Sequence, residues 1–221
     1  MNKNKKTARV SGLLYLVLAI IAFYIPYVNK KIVVLGDVST TANNILESET
    51  LFRVGIMSNL LMNTTWIFLA ISLYTLLKFV NKNIALLMVT LVLAGSAIMY
   101  ITTLSSFTAL EILTDSDYIT AFGLEQIQAL AMLSLEQYKY EIPISYLFFG
   151  LWLFPLGYLV FKSNIIPRIL GILLVIAGFG YLTDFFTFFL IPHFDITITS
   201  YTFWGETLLL LWLLIKGVKF E

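Results

Sequence analysis

The chain has 221 residues, of which 59% are hydrophobic and only 12% charged, and its formal net charge is +1. With a mean hydropathy of +0.90, this composition excludes an ordinary soluble domain and predicts a membrane protein; the near-neutral charge and lack of a basic domain exclude a nucleic-acid partner. At roughly 20 apolar residues per crossing, the length accommodates about six helices and little else.

The predicted fold is all-α: a polytopic membrane protein in which one domain over residues 1–221 carries six transmembrane helices and one or two outer interfacial helices. Apolar stretches occur at about 10–28, 54–77, 84–108, 142–161, 167–190 and 199–215. The first follows the basic start "NKNKKTAR" and has no small-x-small cleavage site, which predicts an uncleaved anchor. In the outer connection "GDVSTTANNILESETLFRVG", a turn at Gly36–Asp37 precedes Ser39, Thr40 and Thr41, candidate N-caps of a short amphipathic helix. Ile45, Leu46 and Phe52 would face lipid headgroups.

The tight inner turn "KFVNKN" makes the second and third spans an antiparallel hairpin, and "KSNIIPR" does the same for the fourth and fifth. Between the hairpins, "SDYITAFGLEQIQALAMLSLEQYKYE" spaces Ile119, Phe122, Leu124, Ile127 and Leu130 along one helical face. This pattern predicts a second interfacial helix or a cap over the bundle. In the fourth span Pro155 predicts a kink, while Gly150 and Gly157 permit close helix approach. Tyr201, Trp204 and Trp212 are placed as interface anchors of the last span.

Orientation follows from the cations. Lys3, Lys5, Lys6, Arg9, Lys78, Lys82, Lys162, Arg168, Lys216 and Lys219, 10 of the 14 Lys and Arg residues, fall on one side with both termini, which is therefore predicted to be cytoplasmic.

The chemistry is narrowed by what is missing. The sequence has no cysteine and a single histidine, His193, so thiolate chemistry, cysteine zinc sites and paired-histidine metal motifs are excluded. Neither a phosphate-binding G-x-x-x-x-G-K-[ST] loop nor a G-x-S-x-G elbow occurs, and no cofactor is expected. What remains is a set of polar groups in the outer half of the spans. Counting 1.5 Å per residue from the outer ends, Asp184 lies about 12 Å down, Glu206 about 9 Å, Asn59 about 9 Å and Asn63 about 15 Å. A carboxylate in hydrocarbon costs about 2.5–3.5 kcal/mol on insertion scales, so Asp184 and Glu206 should face the bundle interior. Tyr181 and Thr187 flank Asp184 by three residues, Thr202 precedes Glu206 by one turn, and Arg53 is the nearest candidate cation. His193, beside Asp195, is a pH-sensitive candidate outside the spans.

The phrases "SGLLYLVLAIIAF", "NNILESETLFRVGI", "LFFGLWLFPLGYLVFKSNIIPRILGILLVIAGFGYLTDF" and "GETLLLLWLLIKGVK" cover much of the chain. In that order they resemble a bacterial membrane-protein family known as domain of unknown function 4386. The resemblance implies six spans in a bacterial cytoplasmic membrane and no established activity. It also implies that Arg53, Asp184 and Glu206 occupy recurring charged positions, with Pro167 and Arg168 in the inner turn. Three readings remain open: binding or translocation of a small or lipid-like ligand at the polar cluster, a structural or partner-binding membrane protein of stress or immunity type, and an intramembrane acid–base hydrolase.

Overall fold

A computed structural model describes residues 3–34, 36–191 and 196–218. Every regular element among them is a helix: α1 (Lys3–Ile32), α2 (Val38–Glu47), α3 (Glu49–Leu77), α4 (Lys82–Thr114), α5 (Ser116–Phe122), α6 (Leu124–Leu151), α7 (Leu153–Ser163), α8 (Arg168–Leu190), α9 (Thr199–Thr202) and α10 (Trp204–Ile215). Among the described residues, five stretches are long and apolar enough to cross a membrane, namely Asn4–Ile32, Glu49–Leu77, Lys82–Thr114, Leu124–Ser163 and Arg168–Leu190. The sixth expected span, 199–215, consists of α9 and α10, with 4 and 12 residues, separated at Phe203. Neither alone has the length of a crossing.

The chain divides into two compact units, one of Met1–Leu18, Thr64–Ala97 and Pro143–Glu221, the other of Ala19–Asn63 and Ile98–Ile142. In the second, Val28, Ile32, Ile45, Phe52, Ala109 and Leu110 form the centre of a buried apolar cluster. Ile45 and Phe52 therefore pack inward, not toward headgroups, and only Leu46 of the three is exposed. The reason is local. Thr41 Oγ1 accepts from Val34 N and donates to Val34 O, and Asn44 Nδ2 donates to Ile32 O, so α2 is tied back onto the end of α1 with its apolar side inward. Its N-cap is Asp37, whose carboxylate accepts from Thr40 N at 2.8 Å and Thr40 Oγ1 at 2.7 Å. The three hydroxyl residues after it are thus already helical. An aspartate at that position satisfies otherwise unpaired first-turn N–H groups and faces the positive helix end.

The other connection also differs from expectation. Asp115 caps the seven-residue α5, Gly123 ends it at φ 77°, and α6 then runs unbroken through Pro143 to Leu151. The segment from Leu124 is therefore the first half of a long helix, with Ile127 buried and Leu124 and Leu130 exposed, while Ile119 and Phe122 are exposed on α5. Leucine and alanine on both sides of the glutamines are enough to sustain helical geometry there.

In the first unit, glycines set the spacing. A Cβ on Gly150 would meet Gly178 O at 2.9 Å, and one on Gly157 would meet Gly171 O at 2.7 Å; the reciprocal approaches are 3.0 and 2.6 Å. Backbone therefore lies on backbone at two levels of the hairpin formed by α6–α7 and α8. Lipid tails are as apolar as leucine, so helices associate in a bilayer through such close packing rather than by escaping water. The opposite side of α8 is exposed and mostly apolar, with Ile169, Ile172, Ile176 and Phe179 on the surface and Thr183 continuing the stripe. That is the expected appearance of a lipid-facing stripe.

The kink expected at Pro155 is an interruption at Trp152, between α6 and α7. Lacking an N–H, Pro155 leaves the carbonyl of Leu151 without its helical donor. On α1, Gly12 lies against the backbone of Leu213 and Leu214 in α10, and Ser11 Oγ shares a 2.7 Å hydrogen bond with Ser72 Oγ of α3.

Candidate functional site

Asp184, 7% exposed, reaches from α8 to the start of α9. Its carboxylate accepts from Ile198 N at 2.6 Å, from Thr199 N at 2.9 Å and from Thr199 Oγ1. A buried carboxyl group is thereby placed on the first N–H groups of a helix, where otherwise unpaired donors need an acceptor. Gly180, one turn earlier, makes room for Thr202: an added Cβ would collide with Thr202 Oγ1. Thr202 itself donates to Ile198 O at 3.4 Å, and Thr187 donates to Thr183 O and Asp184 O of its own helix. The threonine that serves the Asp184 carboxylate is Thr199, not Thr187.

Glu206 lies in the first turn of α10. There Gly205 brings the helix so close to α8 that a Cβ would fall 2.5 Å from Leu173 O and 2.6 Å from Leu173 C. The hydroxyls of Tyr15 on α1 and Tyr181 on α8 both face the Glu206 carboxyl. Tyr15 is 5% exposed, and its Oη lies beside the carboxyl without reaching direct hydrogen-bond geometry; it has no other partner among the described residues. The candidate cation Arg53 is paired with Glu49 and not with Glu206. Glu206 and Tyr181 are each partly exposed as whole residues.

Aromatic rings continue outward from the two tyrosines. Tyr15 packs on Trp152 at 6.4 Å, and Trp152 meets Trp66 edge-on at 5.8 Å. Trp66 packs on Phe149 at 4.6 Å, while Tyr181 touches Phe149 at 5.9 Å and Tyr146 at 5.7 Å. Tyr181 is within the electrostatic reach of both acids, and Tyr146 within that of Asp184. The acids thus share Tyr181 as a neighbour while relying on different groups.

Arg53, Asn59 and Asn63 belong to the other unit. Arg53 Nε pairs with Glu49 Oε1 at 2.6 Å, one turn back on α3, with both side chains largely exposed. Asn59 Nδ2 donates to Gly55 O, and Asn63 Nδ2 donates to Asn59 O. Each of these three is engaged with its own helix. His193 lies outside the described residues. Among the described residues no group of three or more His, Asp or Glu side chains is placed to hold a metal ion. Tyr15, Tyr146 and Thr199 were not singled out from sequence; Tyr15 and Tyr146 carry the same signal as Tyr181, a polar tip within an apolar span.

Residues 10–217 match the family described as Domain of unknown function (DUF4386). An uncharacterized protein of Archaeoglobus fulgidus is 36% identical over 167 residues, which are 75% of this chain and 83% of that protein. The similarity therefore extends to an archaeal protein, beyond the bacterial range expected from sequence. No solved structure matches.

Proposed function

Because the chain belongs to the DUF4386 family, which carries no assigned activity, we propose on physical grounds that it is a multi-pass membrane protein that binds or translocates a small or lipid-like molecule at Glu206. In this reading α9 and α10 together form the sixth crossing, both termini are cytoplasmic, and the unit containing Glu206 forms the working part of the bundle. The observation that carries the reading is the carboxyl of Glu206, which faces two tyrosine hydroxyls, while the candidate cation Arg53 is paired with Glu49. An ionisable group placed this way in a span is costly to retain, and the residues that meet such a cost are mostly those that handle a ligand, an ion or a proton.

Asp184 takes the other part. Three donors already converge on its carboxylate, which favours a structural role at this one position. The test is native mass spectrometry of the purified full chain beside Glu206→Gln. The reading expects a small molecule or lipid retained by the wild type and lost from a folded variant. An identical bound complement in both would overturn it.

A further inference from the structure

One helix of this chain has no interior side. α5 is capped by Asp115 and ended by Gly123, yet none of its seven residues is buried. Tyr118, Ile119 and Phe122 fall on one side of it, with the Tyr118 and Phe122 rings stacked at 6.4 Å, and Leu124 follows directly. These four residues are 42–62% exposed. Helices this short are marginal in water without tertiary packing, and four large apolar groups side by side on a surface mark a place where something else binds.

The surroundings decide what that is. α4, which leads to α5 from the turn at Lys82, has 33 residues and is therefore about 50 Å long. A bilayer is about 30 Å thick in its hydrocarbon and about 40–45 Å with its headgroups. Even with α4 tilted by about 20°, α5 stands at the rim of the headgroups or beyond them. After α5, the first half of α6 exposes Glu125, Gln126, Glu136 and Gln137, which excludes hydrocarbon around it. Between residues 83 and 138 there are five acidic residues, Glu111, Asp115, Asp117, Glu125 and Glu136, and no Lys, Arg or His. The whole unit carries nine acidic residues against Lys30, Lys31, Arg53 and Lys139. Helices that rest on lipid present Lys and Arg to anionic headgroups, the opposite of what surrounds α5. A second copy of this tip would meet it with like charge. What fits is an apolar surface that carries positive charge.

We propose that α5 and Leu124 form a docking site for a basic amphipathic segment of another polypeptide, on the side of the membrane away from the Lys82 turn. The apolar side of that segment covers Tyr118, Ile119, Phe122 and Leu124, and its Lys and Arg side chains meet Asp117 and Glu125 at the edge, an arrangement in which apolar anchors supply affinity and the acids supply selectivity and speed of encounter. Phe122, with the other three around it in sequence, is the anchor. The surface is separate from Glu206, and its failure leaves that reading untouched.

The probe is a fluorescein-labelled amphipathic helix of Leu and Lys, about 18 residues long, titrated by anisotropy against the purified full chain in nanodiscs of zwitterionic phosphatidylcholine. A peptide of the same pattern with Glu for Lys, and empty nanodiscs, are the controls. Expected are saturable binding of the Lys peptide above the empty-disc background, weakening with added salt, and no binding of the Glu peptide. Phe122→Ser should weaken binding about tenfold or more, and Asp117→Lys combined with Glu125→Lys should abolish it. Both variants change exposed positions and should keep the wild-type circular dichroism. No saturable binding, equal binding of the two peptides, or binding unmoved by Phe122→Ser overturns the proposal. A nitroxide on Phe122→Cys that oxygen reaches and a water-soluble nickel chelate does not would place α5 in lipid and overturn it too. So would self-association in sedimentation that Phe122→Ser removes, since the occupant would then be a second copy.

Discussion

Asp184→Asn offers the sharpest test of how the last two helices are joined. In the wild type the carboxylate accepts from two backbone amides and one hydroxyl. The substituted amide retains one acceptor oxygen and turns an NH₂ group toward a donor. A hydrogen bond to a charged acceptor is worth about 1.5–3 kcal/mol, and a buried donor left without a partner costs about 1–3 kcal/mol. Losing one such bond and stranding one donor, with some relaxation, should therefore destabilise by about 3 kcal/mol. The competing expectation is the average side-chain hydrogen bond between membrane helices, only about 0.6 kcal/mol. Unfolding in mixed detergent, followed by circular dichroism, separates these magnitudes. A double-mutant cycle with Thr199→Val should return a coupling of about 1 kcal/mol or more, because the two side chains share one bond. A loss of about 0.6 kcal/mol or less for Asp184→Asn, with no coupling to Thr199, would refute the claim that this carboxylate fastens α9.

Gly205→Ala should be more damaging than its single methyl suggests, because the new carbon meets the backbone of Leu173 at 2.5 Å; a loss of at least about 1–3 kcal/mol is expected in the same unfolding assay. The hydrogen bonds from Thr40 N and Thr40 Oγ1 hold the exposed Asp37 carboxyl below its ordinary value of 3.8. A depressed folded-state value means that this cap's contribution is complete above the ordinary value and fades as pH falls below it. Amide exchange at Thr40 should accelerate there, and Asp37→Asn should flatten that dependence. Since the chain has no cysteine, single cysteines report topology directly. An impermeant maleimide should label Glu47→Cys in intact cells, and Lys216→Cys only after permeabilisation; the reverse pattern would invert the proposed orientation.

Composition made the helical class and most of the spans legible, because a lipid-facing helix must be apolar over its whole outer surface and its length is set by the bilayer. Helix ends were less legible. α1, α3 and α4 continue past the apolar windows into polar residues that are good helix formers, so hydropathy marks where lipid should be and not where the helix stops. α2 was turned the wrong way for a related reason. An amphipathic pattern fixes which face is apolar, whereas the ties of Thr41 and Asn44 to the end of α1 decide what that face meets. At the candidate site, Asp184, Tyr181 and Glu206 stood out because polar groups are rare in such spans. Their partners did not, since Tyr15 and Thr199 are set by helix rotation and by a connection whose path hydropathy does not encode.

The two glycine contacts of the α6–α7 and α8 hairpin share a midpoint. Gly157 and Gly171 are each seven residues from Asn164, and Gly150 and Gly178 each fourteen, and Asn164 itself takes the left-handed conformation at φ 57°. The two glycine contacts are therefore equally spaced in sequence about one residue, and the turn acts as a ruler. Adding one amino acid between Ser163 and Arg168 would advance one arm by about 1.5 Å and rotate it by roughly 100°. Both glycine levels would then face side chains at once, so length variation in this chain should be confined to its other connections.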